Sequence, residues 1–151
     1  PRIPRRLNWG ARWSGEGIID SEPPDLGEIY PTRVSRVDGD GNEVAGIKMP
    51  EVAVPLGTFT GWEFRSEEEG ATWALVGLSG VFFPFGRTQS EADAAGDPRL
   101  PIDARYRDRK DYIGRSVNAG RGLVFQRLML DRDLDVVAER AAALYDWAIG
   151  R

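Results

Sequence analysis

The 151-residue sequence contains no cysteine and no histidine. Without cysteine there is no disulfide framework, no thiolate nucleophile and no cysteine-ligated zinc, and the redox compartment cannot be read. Without histidine the chain holds neither a Ser-His-Asp triad nor a histidine-liganded metal. Long apolar runs are also missing. The longest span only a few residues, such as Val81-Phe82-Phe83, too short to cross a bilayer. Pro1 to Arg12 lack the apolar core of a secretory signal, and position 1 is not Met, which fits a processed chain or a piece of a longer one.

What is present is ordinary for a soluble globular chain: 41% hydrophobic and 29% charged residues, enough apolar side chain for one domain with a core. Eighteen glycines and ten prolines favour turns and short elements over long bundles. The net charge of −4 is uneven: residues 1–50 carry seven bases against eight acids, 51–100 three against eight, and 101–151 ten against eight. So acidic a chain lacks the basic footprint of a nucleic-acid binder. The one basic cluster, Arg105, Arg107, Arg109 and Lys110, is interrupted by Asp103, Asp108 and Asp111 and reads as a solvated, salt-bridged helix surface.

Five prolines and four glycines in residues 1–31 break any helix and permit only very short strands, so this stretch reads as an extended arm. Its Trp9, Trp13, Ile18, Ile19 and Tyr30 are too apolar for a free linker, and the arm is expected to lie against the chain's own core or a neighbour. The rest, 32–151, reads as a single small region. Thr32–Val37 and Val44–Met49 are β-prone and flank Asp38-Gly39-Asp40-Gly41-Asn42-Glu43, which predicts a hairpin. Val52, Val54 and Leu56 suggest an edge strand, and Thr58 to Phe64 another strand. Thr88-Gln89-Ser90-Glu91 is a capping box opening a short helix that Gly96 and Pro98 close, and Pro101 starts a helical turn running to Tyr106. Ile113, Val117, Gly120, Val124 and Leu128 recur at helical spacing after Asp108. A last helix, capped by Asp131 or Asp133, carries Leu134, Val137, Ala138, Ala141, Leu144, Tyr145 and Ala148 on one face. The class is therefore α+β, with short strands and an irregular proline-rich arm in the N-terminal half and helices in the C-terminal half.

No motif here carries chemistry by itself. Asp38, Asp40 and Asn42 match the first three ligand positions of an EF-hand loop, but Glu43 stands where glycine is required and Met49 where a bidentate glutamate closes the shell. A hairpin turn is the better reading. Gly77-Leu78-Ser79-Gly80-Val81 lacks the second glycine of a nucleophile elbow, and Ser79 has no histidine to take its proton. Trp9, Trp13, Trp62, Trp73, Phe82, Phe83 and Phe85 could form a ligand platform, but in so small a domain most aromatics are core or interface. No catalytic, cofactor-binding or metal-binding residue is nominated, and no cofactor is expected.

Read together, several stretches resemble the C-terminal portion of a bacterial alpha/beta-hydrolase domain family: Leu7-Asn8-Trp9-Gly10-Ala11-Arg12, Gly17-Ile18-Ile19-Asp20, Tyr30-Pro31-Thr32-Arg33-Val34, Val37 to Ile47, Pro50 to Trp62, Gly96-Asp97-Pro98-Arg99 and Ala104-Arg105-Tyr106. The resemblance implies a longer parent protein whose Gly-x-Ser nucleophile motif and activating histidine lie upstream. This chain would then be a noncatalytic C-terminal region of a hydrolase, a serine esterase by expectation, serving packing, substrate access or assembly. Its partners would be that upstream domain or a second copy of itself. The alternative is an independent binding module with no enzymatic activity. The compartment is not legible.

Overall fold

The structure, a computed structural model, describes residues 5–31 and 33–150. The chain divides into two compact units, one comprising Pro1–Val34 and Phe64–Gly77, the other Ser35–Glu63 and Leu78–Arg151.

In the first unit, β1 (Arg5–Asn8) pairs antiparallel with β2 (Asp25–Ile29), setting Leu7 opposite Leu26 and Asn8 opposite Asp25. Proline and glycine do keep these strands short, but they do not exclude helix altogether: one helical turn, α1 (Trp13–Glu16), forms between them. The loop carrying it is closed by Asp20, whose N–H donates to the Trp9 carbonyl at 2.8 Å and whose carboxylate accepts the Arg12 guanidinium. Trp9 and Trp13 pack with ring centroids 6.0 Å apart. The ribbon is open to solvent on both faces, since every residue of β1 and β2 except Gly27 is exposed. A second two-stranded pair is formed by β4 (Glu63–Phe64) and β5 (Leu75–Val76).

The second unit holds the core. Pro50 at the first helical position starts a single turn, α2 (Pro50–Ala53), where an edge strand was expected; the apolar alternation of Val52 and Val54 is overridden by a proline already in helical φ. The expected strand from Thr58 to Phe64 is cut in two, because the chain turns at Thr60–Trp62; only β3 (Gly57–Phe59) belongs to the main ribbon. β3 pairs antiparallel with β6 (Phe82–Pro84), Gly57 opposite Pro84 and Phe59 opposite Phe82. Gly57 is needed there, since a Cβ would lie 2.5 Å from the Phe83 carbonyl oxygen. Of the hairpin expected over 32–49, the turn forms but the strands shrink to one bridge, Val37 with Glu43; Thr32 lies outside the described residues.

The helices follow. Thr88 caps α3 (Gln89–Ala95) by accepting the Glu91 N–H, and Glu91 in turn accepts the N–H of Arg87, one residue ahead of the cap. Pro101 proves to be the N-cap of α4 (Ile102–Arg105) and not its first helical residue. Asp108 caps α5 (Arg109–Phe125), and a 3-10 turn at Asp131–Asp133 leads into α6 (Leu134–Gly150). Leu56, Phe85, Ile102, Tyr106, Tyr112, Ala141 and Ala148 form the core, with Val54, Ile113, Leu144 and Tyr145 packed against it.

The buried face of α5 differs from the expected one: it runs Tyr112, Ser116, Gly120, Leu123, one step around from Ile113, Val117 and Val124. Close approach of α6 explains this. A Cβ at Gly120 would meet Leu134 at 3.0 Å, so the seam favours small residues over the more apolar ones. Ser116 satisfies its hydroxyl locally, donating to the Tyr112 carbonyl at 3.1 Å.

Two buried tyrosines within this core differ in one respect. Tyr106 donates its hydroxyl to the Pro55 carbonyl at 2.8 Å, whereas the hydroxyl of Tyr112, fully buried, has no hydrogen-bond partner among the described residues. Burial pushes the Tyr112 phenol up to about 12. Removing an unsatisfied buried hydroxyl recovers its desolvation cost, so Tyr112→Phe is expected to stabilise the fold by about 1 kcal/mol while Tyr106→Phe destabilises it by a similar amount. Urea-unfolding midpoints of the two variants beside the native chain check this.

Candidate functional site

The best-built cluster of polar side chains gathers around the 38–43 turn. Asp38 Oδ1 accepts the N–H groups of Asp40 and Asn42, both at 3.0 Å, which tightens the turn. Asn42, fully buried, then turns its amide to β3: Nδ2 donates to the Gly57 carbonyl at 3.1 Å and Oδ1 accepts the Phe59 N–H at 2.8 Å. One side chain thus supplies both hydrogen bonds that a third strand would have made on that edge.

Two arginines close the cluster. Arg105 forks onto both oxygens of Asp40, at 2.7 and 2.5 Å, donates to the Leu100 carbonyl and lies 4.0 Å over the Phe85 ring. Arg99 donates to Thr58, to the Phe83 and Pro84 carbonyls and to the Asp97 carboxylate, with its guanidinium 5.0 Å from the same ring. Arg105 therefore leaves the solvated basic surface on which it was expected. Its side chain is only 15% exposed, because a partly buried carboxylate partner and an aromatic face offset its desolvation. The other members stay at the surface: Arg107 pairs with Asp111, which also takes Arg115, and Arg109 pairs with Asp146.

All three residues of the calcium-like pattern are committed elsewhere: Asp38 to the turn and Lys48, Asp40 to Arg105, Asn42 to β3. Among the described residues no group of three or more Asp, Glu, His or Cys could hold a metal ion. Ser79 follows Leu78, whose φ of 59° is left-handed, and donates its hydroxyl to Glu63 Oε2. A carboxylate fixes that hydroxyl but is far too weak a base to ionise it. Phe82 and Phe85, candidates for a platform, belong to the packing of the second unit. Phe85 is buried, Phe82 packs between Phe59 at 4.6 Å and Trp147 at 5.9 Å, and Trp13, Trp62, Trp73 and Phe83 are each about half exposed.

Sequence reasoning missed Arg99 and Arg105 as partners of the turn. Asp97-Pro98-Arg99 carries a local signal, acid and base two apart around a proline, but nothing in a linear sequence pairs Asp40 with a base 65 positions away. Beside the turn lies a groove of about 250 Å3 between the 43–49 loop, α2 and β3. No helix among the described residues is long and apolar enough to cross a membrane.

A family model for an alpha/beta hydrolase domain matches residues 7–139. No curated protein and no solved structure matches the chain.

Arg99 hydrogen-bonds the Asp97 carboxylate and holds it below its usual value of 3.8, against a smaller opposing effect of burial. A carboxyl depressed in the folded state adds stability above its unfolded pKa and loses it as pH falls through the folded one. Asp97→Asn is therefore expected to be less stable than the native chain at neutral pH, by about 1–2 kcal/mol, with the gap closing as the pH drops below about 4. Urea midpoints measured from neutral to acid pH test the closure.

Proposed function

The chain belongs to the alpha/beta hydrolase domain family, and from that premise we propose that it is a noncatalytic region of an ester hydrolase whose serine nucleophile and activating histidine are carried by another part of the polypeptide. The observation that carries this reading is membership in a hydrolase family by a sequence that holds no histidine at all. Its most organised polar cluster supports the same reading, because Asp38, Asp40, Arg99 and Arg105 are each spent on backbone or on an opposite charge within the chain. Groups committed in this way shape a surface and are not free to abstract a proton.

The part played by this region would be packing, substrate access or assembly, with the N-terminal arm as the docking element. Trp13, Ile18, Ile19 and Tyr30 are 40–53% exposed, and Leu7, Leu26 and Ile29 of the ribbon 51–67%. Burying a large apolar side chain contributes roughly 1.5–3 kcal/mol, so covering this set would outweigh much of the entropy of fixing the arm. The two-stranded ribbon also has unpaired edges on both sides, and an isolated pair of strands is marginal in water.

The chain alone is expected to hydrolyse p-nitrophenyl butyrate no faster than buffer. A rate above that background, abolished by Ser79→Ala, would overturn the noncatalytic reading. Deleting residues 1–19 tests the docking role. The truncated chain is expected to stay folded while losing self-association, or binding to the hydrolase domain, in sedimentation measurements. Collapse of the melting transition with a monomeric mass throughout would show instead that the arm belongs to the chain's own fold.

A further inference from the structure

The groove beside the turn has apolar walls from Ile47, Met49, Val52 and Phe59. Two of these walls stand largely in water, Ile47 at 62% and Met49 at 47% exposed. A small solute in a groove of about 250 Å3 would leave them wet, whereas an extended segment lying across it would cover both. The apolar geometry thus favours a length of chain.

The charges around the groove favour a cationic segment. The stretch from Ser35 to Glu63 contains five acids, Asp38, Asp40, Glu43, Glu51 and Glu63, and two bases, Arg36 and Lys48. Arg105 neutralises Asp40, so three bases still face five acids. Lys48 lines the groove but is drawn to Asp38, with Nζ 3.7 Å from Oδ2. Glu43 lines it too, beside Gly61, and has no ion-pair partner among the described residues. An incoming anion would meet this carboxylate, while a cation would complete a pair beside the apolar walls.

We propose that this groove docks an extended segment of a partner protein that presents an arginine or lysine between aliphatic side chains, the cation resting on Glu43 and the aliphatic groups on Ile47, Met49, Val52 and Phe59. No residue of the arm is among the groove residues used here, and the contact does not depend on where the catalytic residues lie.

The test titrates the full chain with three blocked pentapeptides, acetyl-Ala-Leu-X-Leu-Ala-amide, in which X is arginine, glutamine or glutamate. Amide shifts of Ile47, Met49, Phe59 and Gly61 are followed by NMR. The arginine peptide is expected to bind about threefold more tightly than the glutamine peptide at low ionic strength, as one exposed ion pair allows. The glutamate peptide should bind most weakly, and added salt should compress the whole series. Glu43→Gln should bring the arginine and glutamine peptides level. Ile47→Asp, at a position too exposed to disturb the core, should weaken all three. Equal binding of the arginine and glutamate peptides, shifts confined to other residues, or no shifts at millimolar peptide would each overturn the proposal. None of these outcomes bears on the esterase assay, so the two readings fail independently.

Discussion

A two-stranded ribbon leaves half of its backbone hydrogen-bonding groups facing outward, and the second unit depends on how that demand is met. On the β3 edge the Asn42 amide gives one donor and one acceptor, to Gly57 and Phe59. On the β6 edge Arg99 donates to the Pro84 carbonyl, and Pro84 has no N–H to satisfy. Side chains from a turn and a loop thus do the work of flanking strands. The cost is rigidity: Asn42 reaches β3 only if the 38–43 turn keeps its shape, and the turn keeps it through Asp38 and the Asp40–Arg105 pair.

That dependence links distant parts of the chain. Arg105 lies on α4, so its fork onto Asp40 ties the start of the helical half to the turn. Phe85, directly after β6 and fully buried, carries the Arg99 and Arg105 guanidinium groups over its ring. The charged heads are thereby desolvated against a negative aromatic face and opposite carboxylates, where they are worth more than surface pairs. Arg109–Asp146 ties α5 to α6, and the Arg87 bond to the Ile149 carbonyl ties α6 to the segment before α3, by contacts that are largely solvated and weaker.

The functional consequence is a division of labour within the chain. The arginines and aspartates of the turn network are matched to one another, which makes a well-specified surface. Unmatched features lie outside: the ribbon of β1 and β2 with its open edges, and the groove where Glu43 faces apolar walls. Both are the places at which we propose contact with another chain.

Local physics was legible in the sequence. Thr88 and Glu91 predict the start of α3, Asp108 that of α5, and the spacing from Val137 to Ala148 the buried face of α6; the structure has each of these. The Asp-Gly-Asp-Gly-Asn run likewise predicts the turn, because capping, periodicity and turn chemistry act over a few residues. The family, too, could be read from the sequence, as a pattern of short motifs along most of its length. What only the tertiary structure decided are the matters settled by partners far away in sequence. The helix α5 buries Ser116 and Gly120 because α6 comes close, and Arg105 leaves solvent because Asp40 waits beneath it. Apolar periodicity reports what a residue would prefer to bury, but the distance between packed backbones and the position of an opposite charge determine what it does bury.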